Sequence, residues 1–402
     1  MKPTSTHLLC GGGGDAAGFR EAGFEPVYGA NHMQVCIDTM RANHPGMRLD
    51  CADVSQLAMS GIPASDVLVA SVICTEVSAA GARSRSSEDY DKRFERTRAT
   101  AYDVLRATEA HDYRITVTEN VAENVAEFAN WKLFDWWLEG FRQLGRKVMV
   151  VSVNAAHISG DDNPAPGAWR DRIVVVTARG DVQLPDLTPR PLAWCAGCRK
   201  DVRAYQRWTA EGLYGNTGKY GQQYRYACPN KSCGRIVEPY VRTAADVFDL
   251  SDVGEKISEK GKPVRPSTLA RLEKTLHYLQ TDDTKRLRGP QQRTDGPRRY
   301  AVIEWRKNCA AAAMHEPLST IAAGGRHHGI VAAPEGWRPG QHLTIHDLSY
   351  RAIEPAEQKA ALRFTPEYVF CGNKKQQTSL AGNAVSVNVG HWVGAAVREV
   401  LT

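Results

Sequence analysis

Short apolar segments alternate with amphipathic helical segments along residues 7–180, and this alternation limits the possible folds more than any other feature. The segments 34–42 and 98–109 have helical period, whereas the apolar segments are β-prone. The predicted strands are 7–10, 26–30, 66–73, 113–118, 147–154 and 172–177. Because strands that alternate with helices form βαβ units, we predict an α/β protein with a Rossmann-like, mostly parallel sheet.

The composition narrows the class of protein further. The 402 residues are enough for two or three domains, and 42% apolar residues is ordinary for a globular protein. There is no run of about 18 apolar residues and no apolar signal-peptide core, so we expect a cytoplasmic protein without a membrane span. The net charge of +6 is compatible with binding to nucleic acid.

A glycine-rich loop follows the first predicted strand. The segment LLCGGGGDAAGF places residues 11–14 between that strand and a helix. Glycines let the backbone approach a ligand closely, and a helix N-terminus offers free N–H groups, although a plain glycine turn has the same pattern. His32 occupies the place where a dinucleotide site has an acid for the ribose. Asp53 is a better placed acid and suits an adenine amino group.

Reactive side chains stand at the ends of several predicted strands. Cys74 closes one strand, Glu119 ends the next, and Arg170 and Arg172 lead into another. Ligands of open α/β sheets bind at the carboxyl ends of strands. An inert buried cysteine and a helix N-terminal acid are the plain alternatives for Cys74 and Glu119. Together these groups would supply a nucleophile, an acid or base and an electrostatic clamp.

In their order along the chain, these residues resemble the DNA (cytosine-5)-methyltransferase family, over nearly the whole sequence. The family has a glycine-rich S-adenosylmethionine loop, a cysteine after a strand, Glu-Asn-Val, Arg-x-Arg, a variable recognition region and Gly-Asn-Ala-Val. Here these elements stand at residues 11–14, 74, 119–121, 170–172, 186–340 and 382–385. The actinobacterial and phage branch, which has a cysteine-rich insert, is the most similar.

The resemblance implies a cytosine C5-methyltransferase acting on double-stranded DNA, with S-adenosylmethionine or a modified analogue as cofactor. It implies that Cys74 adds to C6 of a flipped cytosine, that Glu119 binds N3 and the amino group, and that Arg172 holds O2. Arg170 would brace the loop or a phosphate. The implied cofactor-binding residues are Leu9, Cys10, Gly11, Gly13, Gly14, His32, Met33, Asp53, Val54, Ile73, Asn383 and Ala384.

The chain departs from the family pattern at several of these positions. Ile73 and Thr75 replace a proline and a glutamine beside the cysteine. Leu9 replaces an aromatic residue, Ala168 a glutamine and His32 the ribose acid. Because threonine is smaller than glutamine, transfer of a larger group, giving a hypermodified cytosine, is a second hypothesis. A non-catalytic DNA-binding homologue is a third.

Two cysteine pairs, Cys195 with Cys198 and Cys228 with Cys233, have the spacing of a four-thiolate zinc site. The basic and aromatic residues that flank them suit contact with DNA, and a purely structural clip is the alternative. Basic residues within 75–98 and 285–299 are further candidates for DNA contact.

Three segments follow from these features. We predict a catalytic, cofactor-binding domain at 1–185. A target-recognition domain follows at 186–340, with a zinc ribbon-like insert at about 190–240. The segment 341–402 is predicted to return to the catalytic domain, and we expect the protein to be a monomer.

Overall fold

A seven-stranded sheet forms the centre of the protein. The structure, a computed structural model, describes residues 2–72, 90–122, 133–209, 216–280, 299–305, 311–338 and 340–402. The strands of this sheet are β1 (Thr4–Leu8), β2 (Glu25–Asn31), β3 (Arg48–Cys51), β4 (Val67–Ser71), β5 (Ile115–Val121), β6 (Lys147–Asn154) and β7 (Asp171–Ala178). They lie in the order β3-β2-β1-β4-β5-β7-β6, and of these seven strands β7 alone runs opposite to the other six.

The α/β class predicted from the sequence is confirmed, and each of the six predicted strands is present. β6 has the predicted ends, 147–154, and the ends of the other five are shifted. β1 ends two residues before the predicted limit because Leu9 adopts a left-handed conformation, with a φ of 58°, that turns the chain. β3 is an additional strand that was not predicted, because its four residues RLDC are partly exposed and lack an apolar run.

Helices cover both faces of the sheet. They are α1 (Gly14–Glu21), α2 (Gln34–Asn43), α3 (Tyr90–His111), α4 (Leu133–Gln143), α5 (Pro266–Gln280), α6 (Pro355–Ala361), α7 (Lys374–Asn383) and α8 (Val387–Leu401). Successive residues of β4 point to opposite faces of the sheet, so Leu68 packs with α3 and α4 whereas Val69 packs with α1 and α8. The result is a three-layer arrangement with an apolar core on each side of the sheet.

The C-terminal helix α8 packs directly on α1. A side chain on Gly14 would collide with the carbonyl of Val385, and one on Gly18 would collide with the backbone of α8. These glycines therefore permit a close approach between the first and the last helix of the chain.

Two smaller β structures follow the main sheet. The cysteine module, as we call residues 192–237, contains the hairpin of β8 (Leu192–Cys195) and β9 (Lys200–Arg203) and a three-stranded sheet. The strands of that sheet are β10 (Tyr205–Trp208), β11 (Tyr224–Ala227) and β12 (Ile236–Val237). A four-stranded sheet, packed against α5, comprises β13 (Tyr300–Glu304), β14 (Ala312–Ala313), β15 (His328–Ala332) and β16 (Ser349–Ala352).

The predicted segment limits at residues 185 and 340 stay predictions. Within the described ranges, none of the helices is long and apolar enough to span a membrane.

Candidate active site

A cavity of about 280 Å³ lies at the edge of the sheet where β1, β2, β4 and β5 end. The strand order reverses between β1 and β4, and open α/β sheets bind ligands at such a point. The residues that line the cavity are Leu9, Gly11, Gly12, Asn31, His32, Met33, Val35, Cys36, Ser71, Val72, Glu119, Arg170, Arg172, Gln376, Ser379, Leu380 and Asn383.

Glu119 and Arg172 form an ion pair in the wall of this cavity. Nε of Arg172 lies 2.7 Å from Oε1 of Glu119, and the two side chains are only 7% and 14% exposed. Because β7 is antiparallel to β5, Arg172 at its start pairs with Val121 at the end of β5. A parallel strand would have placed the arginine at the opposite edge of the sheet. The ion pair holds the carboxylate beside the guanidinium in the wall of the cavity.

Arg170 is buried and binds backbone carbonyl groups. Its guanidinium donates to the oxygens of Gly382 at 3.2 Å, Ala384 at 2.6 Å and Ile321 at 3.3 Å. The arginine therefore ties the entrance of β7 to the C-terminal Gly-Asn-Ala-Val segment, and this geometry supports a bracing role.

The glycine loop presents only some of its residues to the cavity. Leu9 and Gly11 line it, and both have positive φ values, of 58° and 50°. Cys10 is instead buried in an apolar cluster under α2, where burial raises the pKa of its thiol. Gly13 and Gly14 lie against Tyr368 and Val385, which leave no room for a side chain. The predicted cofactor contacts of Cys10, Gly13 and Gly14 stay predictions.

The segment after β2 contributes a second wall. His32 and Met33 are exposed and line the cavity, and Oδ1 of Asn31 accepts a hydrogen bond from the Met33 N–H at 3.0 Å. Asp53 and Val54 are not among the lining residues: Asp53 accepts from the backbone N–H of Ser55 at 3.0 Å, and Val54 is buried in the core. Their predicted contacts with the cofactor likewise stay predictions.

Helix α7 forms the third wall, which sequence reasoning found only in part. Asn383 lines the cavity, whereas Ala384 packs against Gly12 behind the loop, and their predicted contacts with the cofactor stay predictions. Gln376, Ser379 and Leu380 were missed. Their spacing of three and four residues, continued by Asn383, places them on one helix face, and that period was readable in the sequence.

The predicted nucleophile Cys74 and its neighbour Ile73 lie outside the described residues. The described strand leads directly toward them: Ser71 and Val72 line the cavity, and Ser71 pairs in register with Glu119. Nδ2 of Asn120 donates to the carbonyl of Val72 at 3.2 Å. The strand end that precedes the cysteine is thereby fixed beside Glu119.

The four clustered cysteines converge on one point in the cysteine module. All four Sγ atoms lie within 4.8 Å of one another, with 3.6 Å between Cys195 and Cys233 and 3.7 Å between Cys198 and Cys228. A zinc tetrahedron with bonds of about 2.3 Å has sulfur–sulfur edges of about 3.8 Å. A hydrogen bond from the backbone N–H of Cys198 lowers the pKa of the Cys195 thiol, whereas the pKa values of the neighbouring Cys228 and Cys233 thiols are raised.

The geometry agrees with a comparison against known families. The model of the C-5 cytosine-specific DNA methylases matches residues 4–399 of the chain. The protein belongs to this family. The family match makes it an enzyme that modifies cytosine in DNA, as the order of its motifs indicated. No curated protein sequence matches the chain.

Solved structures share the methylase fold at low sequence identity. The Entamoeba histolytica methyltransferase EhMeth has a TM-score of 0.55 at 12% identity, covering 100% of this chain and 99% of its own. A Spodoptera frugiperda DNMT2 variant has a TM-score of 0.54 at 13% identity, covering 100% of both chains. A protein described as a prophage-encoded DNA modification methyltransferase of E. coli has 0.51 at 13%, covering 99% of both.

Proposed function

We propose that this methylase transfers a methyl group from S-adenosylmethionine to C5 of a cytosine in double-stranded DNA through a covalent bond between Cys74 and C6. The observation that carries the proposal is the buried Glu119–Arg172 pair, which shares one cavity with the glycine loop and with the strand that leads to Cys74. A carboxyl group held by a guanidinium beside a thiol is the set that this chemistry requires.

The thiolate of Cys74 activates the cytosine ring, whose C5 is otherwise a weak nucleophile. As the sulfur bonds to C6, Glu119 binds N3 and the exocyclic amino group and stabilises the protonated ring, while Arg172 holds O2. S-adenosylmethionine, when bound, supplies an electrophilic methyl group on a sulfonium. After C5 has accepted the methyl group, a base removes the C5 proton and the C6–S bond breaks, which releases the product and the free thiolate.

The residues suited to hold the cofactor line the other walls of the cavity. Leu9 and Gly11 offer backbone at close range, His32 provides an imidazole for the ribose diol, and Asn383 faces them from α7. The target cytosine must leave the DNA stack to reach Glu119. This unstacking costs roughly a few kcal/mol and costs least for a weakly paired base.

We also propose that Cys195, Cys198, Cys228 and Cys233 bind one Zn²⁺. The mutual approach of their four sulfurs supports this, since the distances are those of a tetrahedral site and too long for disulfides. The apolar core of the cysteine module is small, so the metal would contribute much of its folding energy.

Trapping of the covalent intermediate tests the proposed function. Duplex DNA containing 5-fluorocytosine has no C5 proton to lose, so the enzyme with S-adenosylmethionine should accumulate a stable protein–DNA adduct. Peptide mass spectrometry should locate that adduct on Cys74. Turnover on ordinary DNA without any trapped adduct would contradict the covalent mechanism.

A further inference from the structure

We propose that Asp171 is a positioning residue through which the cysteine module holds Arg172 against Glu119. The inference rests on the proposed function, since it concerns the same active site. It assigns the module a part in the reaction, separate from any contact with DNA.

Among the described residues, hydrogen bonds join the module to two strands of the main sheet, β6 and β7. Nε2 of Gln206 donates to the carbonyl of Ser152 at 2.8 Å, and the backbone N–H of Gly218 donates to Oγ of Ser152 at 2.9 Å. The third is donated by the backbone N–H of Tyr220 to Oδ1 of Asp171, at 3.0 Å. This third bond reaches β7, the strand that carries the active-site arginine.

Asp171 lies between Arg170 and Arg172 and is fixed from several sides. Its Oδ1 also accepts from Nδ2 of Asn154 at 2.9 Å, and Oδ1 of Asn154 in turn accepts from the backbone N–H of Arg170 at 3.2 Å. The carbonyl of Asp171 accepts a 2.7 Å hydrogen bond from the Arg172 guanidinium itself. A shift of Asp171 would therefore move the guanidinium that orients Glu119.

The ring of Tyr220 contacts the segment that leads into β7 at Trp169, the residue on the other side of Arg170 in the sequence. It stacks on Trp169 with ring centroids 5.9 Å apart and an angle of 16° between the planes. Tyr220 thus contacts residues 169 and 171 at once, by its ring and by its backbone. Misplacement of a catalytic group by about 1 Å can lower the rate by about 100-fold. By holding residues 169 and 171 in place, this double contact therefore keeps the reaction rate high.

The test compares Asp171→Ala with Asp171→Asn and with Ser152→Ala. The rate of adduct formation on 5-fluorocytosine DNA is measured alongside kcat and both KM values on ordinary DNA. We expect Asp171→Ala to lose about 10- to 100-fold in kcat and in adduct rate with little change in KM. Asp171→Asn keeps an acceptor oxygen for Tyr220 and should recover most of the rate. Ser152→Ala removes one docking bond away from β7 and should stay near the wild type.

Each contrary outcome has its own meaning. A wild-type kcat in Asp171→Ala, or an equal loss in Ser152→Ala, would overturn the inference. The absence of any adduct with the wild-type enzyme would instead contradict the proposed function. If Asp171→Ala does not fold, Trp169→Leu removes the stacking contact with Tyr220, together with an edge contact to His157, and leaves the hydrogen bond to Asp171 in place. It should lower kcat without raising KM, and an unchanged kcat would again overturn the role of this junction.

Discussion

At the scale of single residues, the active site depends on side chains whose positions the strand ends determine. Glu119 and Arg172 meet because the end of β5 lies beside the start of β7. The guanidinium both neutralises the carboxylate and limits its rotamers, so the pair presents one fixed arrangement to a base in the cavity.

Removal of the thiol should abolish catalysis and spare binding. We expect Cys74→Ser to form no product and no adduct while its affinity for DNA stays close to that of the wild type. Cys51→Ser is the matched control, because Cys51 is exposed and is not among the cavity-lining residues. Gel-shift titration and nucleoside analysis measure the two properties, and normal turnover by Cys74→Ser would refute the assignment of the nucleophile.

Glu119→Gln tests the carboxyl group separately. The amide keeps the size of the side chain but cannot stabilise the protonated ring, so kcat should fall by about 100-fold or more while the KM for DNA changes little. A variant with raised KM and unchanged kcat would show that Glu119 binds the base without taking part in the reaction.

The sequence was sufficient to predict that Glu119, Arg170 and Arg172 meet at one edge of the sheet, because side chains at strand ends follow from the alternation of strands and helices. Their roles in the reaction stay predictions. The sequence was less informative about the glycine loop. The run of four glycines looked like a ligand loop throughout, yet Gly13 and Gly14 are adjacent to Tyr368 and Val385. Those neighbours lie more than 350 positions away in the sequence, and no local pattern reveals them.

At the scale of elements, β7 and the cysteine module determine where the active-site arginine lies. The sequence predicted the strand at 172–177, but a single strand carries no mark of its direction. Its antiparallel placement, between β5 and β6, comes from tertiary pairing. The small core of the module, built around Tyr224 and Tyr226, was likewise not readable from alternation alone.

Loss of one thiolate should loosen the cysteine module. In Cys198→Ser, we expect metal analysis to fall from about one zinc per chain and limited proteolysis to begin within residues 192–237. Binding of S-adenosylmethionine should persist, because its predicted pocket is formed by other elements. Cys51→Ser again serves as the control. A metal-free wild type whose module resists protease would contradict the zinc site.

The junction between the module and the sheet also predicts a pH dependence. His157 lies 4.3 Å from Tyr220 between ring centroids, and burial lowers its pKa to about 3. In the unfolded chain the imidazole has its ordinary pKa of about 6.5, so the free energy of unfolding is unaffected by this group above that pH. As the pH falls from there toward 3, the unfolded chain takes up the proton and the folded chain does not, so the free energy of unfolding decreases by up to about 1.4 kcal/mol per pH unit.

His157→Phe keeps a ring at this position and removes the titration. Its free energy of unfolding should depend less on pH below about 6.5 than that of the wild type. Chemical denaturation at several pH values measures the slope, and His342→Phe, at an exposed histidine, is the control. Equal slopes in wild type and His157→Phe would show that His157 is not buried in its neutral form.

At the scale of the whole molecule, the positive charge should govern the encounter with DNA. The predicted basic segment 285–299 lies outside the described residues except for Arg299, whose guanidinium binds the carbonyl of Ala333 at 2.9 Å. Arg299 is therefore a structural residue in the described fold, and the remaining arginines of the segment are the candidates for phosphate contact.

Affinity for DNA should fall by about tenfold to a thousandfold between about 50 and 200 mM salt, because phosphate contacts release counterions. Replacing Arg286, Arg288 and Arg298 by glutamine should reduce that slope. A control triple at Arg41, Arg142 and Arg190, which are exposed and paired with nearby acids, removes the same charge elsewhere. Equal slopes in the two triples would place the segment away from DNA.

The most direct test of the central claim is mass spectrometry of the nucleosides obtained from duplex DNA after incubation with the enzyme and S-adenosylmethionine. The proposed function predicts 5-methyl-2′-deoxycytidine that appears only with the cofactor and is absent with Cys74→Ser. DNA whose cytosines remain unmodified under conditions in which the folded enzyme binds both DNA and cofactor would contradict it.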